Sequence, residues 1–264
     1  MVILITGISS GFGLETARLL SQEGHTVYGT VRHEVSPLSS VHYLQLDVRD
    51  KQAVIQTVQH IIDKEGRIDV LVNNAGMGIG GPIEFATDEE IRLQMDTNFM
   101  GLVHCIDAVL PYMRRQKSGK IIALSSIGGL MGLPFQGFYS ASKFAIEGYC
   151  EALRLEVASM GIQVVVIRPG DFNTGFTGSR KKVSNEAALE AYPLYRNAIN
   201  KVENDETGGL KPEMLARTIS RIIGQSHPRN GYVVASFEQR LSVLLKRILP
   251  AQWFDRILGS YYKL

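Results

Sequence analysis

The stretch VILITGISSGFGLETARLL, residues 2–20, runs an apolar segment into a glycine-rich turn and then into a helical pattern. Val2 to Thr6 read as a buried strand, since aliphatic residues follow one another without a polar break. Gly7, Gly11 and Gly13 fall in the turn, with Ser9, Ser10 and Phe12 among them. Leu14, Ala17 and Leu20 then mark a helix that stops near Gly24. Glycine allows a tight turn and close approach of a phosphate, and the first helical turn offers free N–H donors at the positive end of the helix dipole. A glycine triplet alone says little in a chain with 26 glycines. With a strand before it and a helix after it, the turn reads as a pyrophosphate cradle.

Further along, strand-like runs alternate with helical patterns. They lie at 26–30 (TVYGT), 41–48, 68–76, 120–126, 162–170 and 231–235. Between them, Val54, Val58, Ile61 and Ile62 mark a helix that stops near Gly66. A third helix begins at Thr87, with Glu90 completing a capping box, and is expected to run to Pro111. This alternation predicts an α/β chain, a Rossmann-type doubly wound parallel sheet of about seven strands in three layers, α/β/α. The crossover at 32–43 is too short for a full helix and contains Pro37. The long segment at about 171–210 is expected to be a lid, because long segments after parallel strands cover ligands.

Composition narrows the classes of function. The chain has 264 residues, 45% hydrophobic, with a net charge of +2. One catalytic domain over 1–264 is the expected organisation. The pI of about 8.5 comes without an extended basic run; the clusters at 114–115 and 180–182 read as solvated loops, and no nucleic-acid partner is expected. Cys105 and Cys150 read as reduced structural thiols, and no metal site is expected. The opening apolar run is too short for a signal segment, and nothing approaches the roughly 20 apolar residues of a membrane span. A cytoplasmic location is expected.

The second strand run ends in YGTVRH, residues 28–33. Dinucleotide sites that read a ribose hydroxyl place an acidic residue there. Arg32 stands at that point instead, with a guanidinium fork suited to a 2′-phosphate that Ser10 and His33 could assist. The expectation is NADP(H), with NAD(H) as the alternative.

Several motifs then occur in one order: TGISSGFG at 6–13, Asp47 and Val48, NNAG at 73–76, Asn98, Ser126, Tyr139 with Lys143 four residues on, and Pro169, Gly170 and Thr174. Together they resemble the short-chain dehydrogenase/reductase family over about the first 175 residues. The resemblance implies a nicotinamide cofactor and carbonyl–alcohol chemistry. It implies that Asp47 and Val48 contact the adenine, that Asn74, Ala75 and Gly76 shape the cofactor floor, and that Thr174, after Pro169 and Gly170, holds the carboxamide. Asn98 would hold a water linking Lys143 to solvent, and Lys143 would bind the nicotinamide ribose.

Carbonyl reduction needs a proton source at the oxygen and donors for the developing alkoxide. Tyr139 fits the first role if a lysine one helical turn away lowers its pKa toward neutrality. Ser126 fits the second, although SSIGG is also good turn chemistry. Leu130, Met131, Leu133, Phe135, Phe172 and Phe176 suggest an apolar substrate wall. GGLMGLP with the tyrosine motif is similar to 17β-hydroxysteroid dehydrogenases and to retinol- and lipid-active relatives, so a steroid-, retinoid- or lipid-like ketone or secondary alcohol is expected as the small-molecule substrate. Small ketones, 3-oxoacyl thioesters, epimerase chemistry and a non-enzymatic NADP sensor are the competing readings. The resemblance also implies a homodimer or homotetramer. The amphipathic segment at 237–258 could pack on the lid, pair with another subunit or touch a membrane surface.

Overall fold

The computed structural model describes residues 1–36, 38–183 and 187–264. In chain order the elements are β1 (Val2–Ile5), α1 (Gly11–Gln22), β2 (Thr26–Val31), β3 (His42–Gln45), α2 (Lys51–Glu65) and β4 (Val70–Asn73). Then come β5 (Ile79–Gly80), α3 (Asp88–Met95), α4 (Gly101–Gln116), β6 (Gly119–Leu124), α5 (Gly137–Glu156) and β7 (Ile162–Pro169). The chain continues with α6 (Phe176–Ser179), β8 (Lys181–Lys182), α7 (Ala187–Ala191), α8 (Tyr195–Thr207), α9 (Pro212–Gly224), β9 (Gly231–Val234), α10 (Phe237–Ile248) and α11 (Ala251–Tyr262).

Seven parallel strands form one sheet in the order β3-β2-β1-β4-β6-β7-β9. Side chains alternate across it with the strand period of two. Val2 and Leu4 join the core that α2, α4 and α5 cover, with Val54, Ile106 and Leu153. Ile3 and Ile5 join the opposite core, with Ala17 and Leu20 of α1 and Ile219 and Ile222 of α9. The strands read as nearly unbroken apolar runs because both faces are buried. The strand order reverses between β1 and β4, and the carboxyl ends there open a crevice where such sheets bind ligands.

Three sequence expectations are corrected. The helix pattern does not stop at Pro111: α4 contains it and continues to Gln116, held on the core by buried Val109 and Met113. The pattern from Thr87 is also interrupted by a π-helical turn, Asp96–Met100, that carries Asn98. Third, the charge clusters are not solvated loops. Arg114 and Arg115 lie in the last turn of α4, and Arg180 is buried, bonded to Glu206. The described residues of the β2–β3 crossover form no helix, as its length implies; Pro37 lies outside the described residues.

Candidate active site

Thr6 follows β1 with its hydroxyl accepting hydrogen bonds from the backbone N–H groups of Asn74 (3.0 Å) and Ala75 (2.9 Å). The Asn74 amide donates to the carbonyls of Thr6 and Gly7, both at 2.8 Å. The turns after β1 and β4 are thus locked together. Gly7 and Gly11 have φ of 72° and 57°, the left-handed region that glycine enters without penalty. Ser10 caps α1 without a side-chain bond, so the first N–H groups of the helix stay free toward the crevice.

Gly7, Ser10, Gly11, Asn74 and Ala75 line one end of a cavity of about 910 Å³, while Gly13 lies behind them outside the lining. Ser9, Phe12, Arg32, Asp47 and Val48 line it too, and it runs past Gly76, Ser126, Tyr139 and Lys143 to Pro169, Gly170 and Thr174. Arg32 is exposed at the end of β2, and its guanidinium makes no hydrogen bond or ion pair among the described residues. Asp47 is taken by Arg49, whose hydrogen bonds hold its carboxyl below the usual range. His33, expected near the same phosphate, is not part of the lining. The cavity therefore offers a glycine-walled cradle, a helix N-terminus and one free arginine, a donor set that fits a phosphorylated dinucleotide.

The π-turn buries Asn98, 1% exposed, between two chains of bonds. Its side chain accepts from the Met77 N–H (2.8 Å) and donates to the Met77 carbonyl and the Ser142 hydroxyl, each at 3.0 Å. Ser142 in turn donates to the Tyr139 carbonyl at 2.7 Å. Asn98 makes no bond to Lys143; it ties the chain after β4 to the helix that carries Tyr139. A methyl group at Gly76 would sit 3.3 Å from Asn98 Oδ1 and 3.8 Å from Lys143 Nζ, so the glycine leaves open the space beside both.

Of the two roles that sequence left open, Ser126 takes the turn role: its hydroxyl caps the short 3-10 turn Ile127–Gly129, accepting from Gly128 N–H at 3.0 Å, and it also faces the Tyr139 phenol, whose pKa it lowers. The Lys143 ammonium is buried, 7% exposed, donates to the Leu124 carbonyl at 2.8 Å and lies 5.7 Å from the Tyr139 ring centre. Burial pushes Lys143 down to about 8. Burial also pushes the Tyr139 phenol up to about 12, and the bond to Ser126 offsets only part of that. The expected tyrosine poised near neutrality is thus not found in the chain alone. Desolvation, with Glu206 and Asp171 adding to it, outweighs Ser126 and Arg180, and the phenol holds its proton at neutral pH.

The far end of the cavity is largely apolar, although Asp205, Glu206 and Glu238 also line the cavity. Met131, Leu133 and Phe176 line it as expected, whereas Phe172 lies back at the glycine turn, edge-on to Phe12 at 4.9 Å. Leu130 and Phe135 do not line it. Leu130 packs among the C-terminal helices, and Phe135, at φ 58°, turns onto Tyr195 at 5.2 Å. In their place stand Leu241, Leu245, Phe254, Ile257, Tyr261 and Tyr262 from α10 and α11. Their amphipathic spacing was visible in the sequence, but not which element they would face. Gln239 fastens α10 to the start of the segment after β7, donating to Asp171 Oδ2 at 2.6 Å and accepting from the Asp171 N–H at 3.2 Å.

Asp171 itself, unremarked in the sequence, lines the cavity, and burial together with Glu206 and Asp205 pushes it up to about 7. Between the ordinary carboxyl range and pH 7 the folded chain binds a proton that the unfolded chain has lost. Stability should therefore fall as pH rises through that window. Asp171→Asn keeps the shape and removes the charge. It should raise the melting temperature by several degrees at about pH 8 and much less at about pH 5. An equal change at both would show that Asp171 is not the group responsible.

The comparisons with known proteins agree with this geometry. A model of the short chain dehydrogenases matches residues 1–185, and the chain belongs to the short-chain dehydrogenase/reductase family. It is an oxidoreductase of alcohol and ketone groups, in a family that uses NAD(H) or NADP(H). It is 47% identical over 262 residues to 3-ketodihydrosphingosine reductase of Bacteroides thetaiotaomicron, covering 99% of this chain and 97% of that one. It is 41% identical over 211 residues to human 17-beta-hydroxysteroid dehydrogenase type 1, covering 72% of this chain and 64% of that one. A solved short-chain dehydrogenase from Streptomyces avermitilis is similar with a TM-score of 0.79 at 27% identity, over 99% of this chain and 97% of that one.

Proposed function

We propose that the protein is an NADPH-dependent reductase of a large, lipid-like ketone, with Tyr139 as the proton donor. One observation carries the reading. The Tyr139 hydroxyl, bonded to Ser126, stands in a cavity with a phosphate cradle and free arginine at one end and an apolar, aromatic wall at the other. When bound, reduced nicotinamide would supply hydride to the carbonyl carbon.

The chain's own residues do the rest. Gly7, Ser9, Ser10, Gly11, Phe12 and Gly13 would hold the pyrophosphate, Arg32 the 2′-phosphate, and Asp47 and Val48 the adenine end. Asn74 to Gly76 would form the floor, and Pro169, Gly170 and Thr174 the nicotinamide end. Ser126 orients the substrate oxygen, and the phenol of Tyr139, protonated at neutral pH, donates to that oxygen as charge develops on it. Lys143 supplies positive charge beside the phenolate that is left. Asn98 is a positioning residue, since it reaches Tyr139 only through Ser142.

The lipid-like reading draws on the match to the 3-ketodihydrosphingosine reductase, which takes in the lid and both C-terminal helices, where the apolar wall is built. The test is NADPH consumption across long-chain ketones including 3-ketodihydrosphingosine, steroid ketones, retinal, small ketones and acyl thioesters. The highest kcat/KM is expected for a long-chain ketone. A best substrate that is small or an acyl thioester would overturn the proposal.

Arg32→Ala should lower the preference for NADPH over NADH about 10- to 100-fold, because a charge-assisted pair with phosphate contributes about 1.5–3 kcal/mol. Equal kcat/KM ratios for the two cofactors in wild type and variant would show that Arg32 does not read that phosphate.

A further inference from the structure

The two C-terminal helices carry more apolar surface than the cavity uses. On α10, Phe237, Leu241, Leu244 and Ile248 recur at helical spacing along one exposed stripe, and on α11 Trp253, Ile257 and Tyr261 do the same. Phe237 is 80% exposed, Ile248 65% and Trp253 63%. Other faces of the same helices are already buried, through Val243 and Phe254 against Ile127 and Met131, and through Tyr262 against Ala198 and Val202. Exposed leucines scattered singly need no explanation, but seven exposed apolar residues at helical spacing on two consecutive helices do.

Two further observations identify what covers them. The stripes reach the cavity: Leu241, Ile257 and Tyr261 are exposed and also line its interior, so the outer apolar surface continues into the apolar wall. Charge accompanies the stripes as well. Arg240, Arg247 and Arg256 are exposed, each three residues after a stripe residue, and so sit beside the stripes. Residues 237–264 hold five Lys and Arg against two acidic residues, while the whole chain is only +2.

We propose that this hairpin is a docking surface for an anionic lipid bilayer, with the stripes in the interface, the arginines among the headgroups and the cavity mouth opened to the acyl layer. A second copy of the chain on the same patch would set two positive surfaces against each other. No helix among the described residues is long and apolar enough to cross a membrane, so the contact is interfacial. The docking surface stands on its own residues; only the delivery of a ketone from the bilayer into the cavity rests on the lipid-like reading above.

Trp253, the single tryptophan, is the reporter. With full-length protein, vesicles of phosphatidylcholine and phosphatidylglycerol should shift its emission to the blue and sediment the protein. Added salt and vesicles of phosphatidylcholine alone should weaken both effects. Phe237→Ser with Ile248→Ser removes apolar surface outside the cavity, and should weaken vesicle partitioning at least about tenfold while leaving thermal stability and turnover of a water-soluble ketone unchanged. An emission that does not move while the protein stays in the supernatant at every lipid concentration would overturn the proposal. So would a blue shift that depends on protein concentration and not on vesicles, which would assign the patch to a second copy. Vesicle binding without faster turnover of a bilayer-borne ketone would keep the docking surface and overturn the delivery.

Discussion

Tyr139→Phe is expected to lower NADPH-dependent ketone reduction by about 10²- to 10⁴-fold, the range that a positioned general acid contributes. The substitution removes one oxygen. The ring keeps its place 6.0 Å from the Phe176 ring, and its helix keeps the bonds that run from Met77 through Asn98 and Ser142 to the Tyr139 carbonyl. Affinity for NADPH, read by fluorescence titration, should change little, because the glycine turn and Arg32 lie at the other end of the cavity. A loss of turnover with unchanged cofactor affinity is the signature of an interaction made only in the transition state. Wild-type turnover in a folded, NADPH-binding Tyr139→Phe variant would remove Tyr139 from the chemistry.

Gly13→Ala should cost about 3 kcal/mol or more of stability and remove measurable cofactor binding, although it adds a single methyl group. Gly13 is helical, so the reason is space and not conformation. A Cβ there would overlap the Gly7 carbonyl and lie 2.6 Å from Asn74 Nδ2. That amide is the group that joins the two turns through the carbonyls of Thr6 and Gly7. Relief would require moving backbone at the end of β1. Chemical denaturation and NADPH titration read the two effects, and a variant that melts and binds like wild type would show that the cradle yields. Gly24→Ala gives a contrast: nothing lies within 4 Å of its Cβ, but its φ is 81°, so any cost there is conformational.

Much of the fold was legible because its signals are local. The inner strands of the main sheet are apolar runs bounded by turn residues, and the capping box at Thr87 and Glu90 forms as its spacing requires. The glycine turn, Ser126, Tyr139 and Lys143 also follow from spacing, and the structure gathers them around one cavity. What sequence did not reveal depends on partners far along the chain. Arg180 is buried because Glu206, 26 residues later, and the Phe176 ring receive it. The Tyr139 phenol sits high because of enclosure by elements that spacing to Lys143 cannot describe. Leu130 and Phe135 look like cavity residues in the linear pattern, yet the C-terminal helices and Tyr195 claim them.

The cavity draws its polar cradle from the first part of the chain and its apolar wall from the last part, with Tyr139 between. Among the described residues, no hydrogen bond joins the glycine turn to α10 or α11. Substitutions in them should therefore combine nearly additively, since coupling is confined to residues in contact. Such a layout leaves the sequence free to drift in what it accepts while the reducing machinery stays constant. The hairpin of α10 and α11 is the replaceable part, a reading head on a fixed drive.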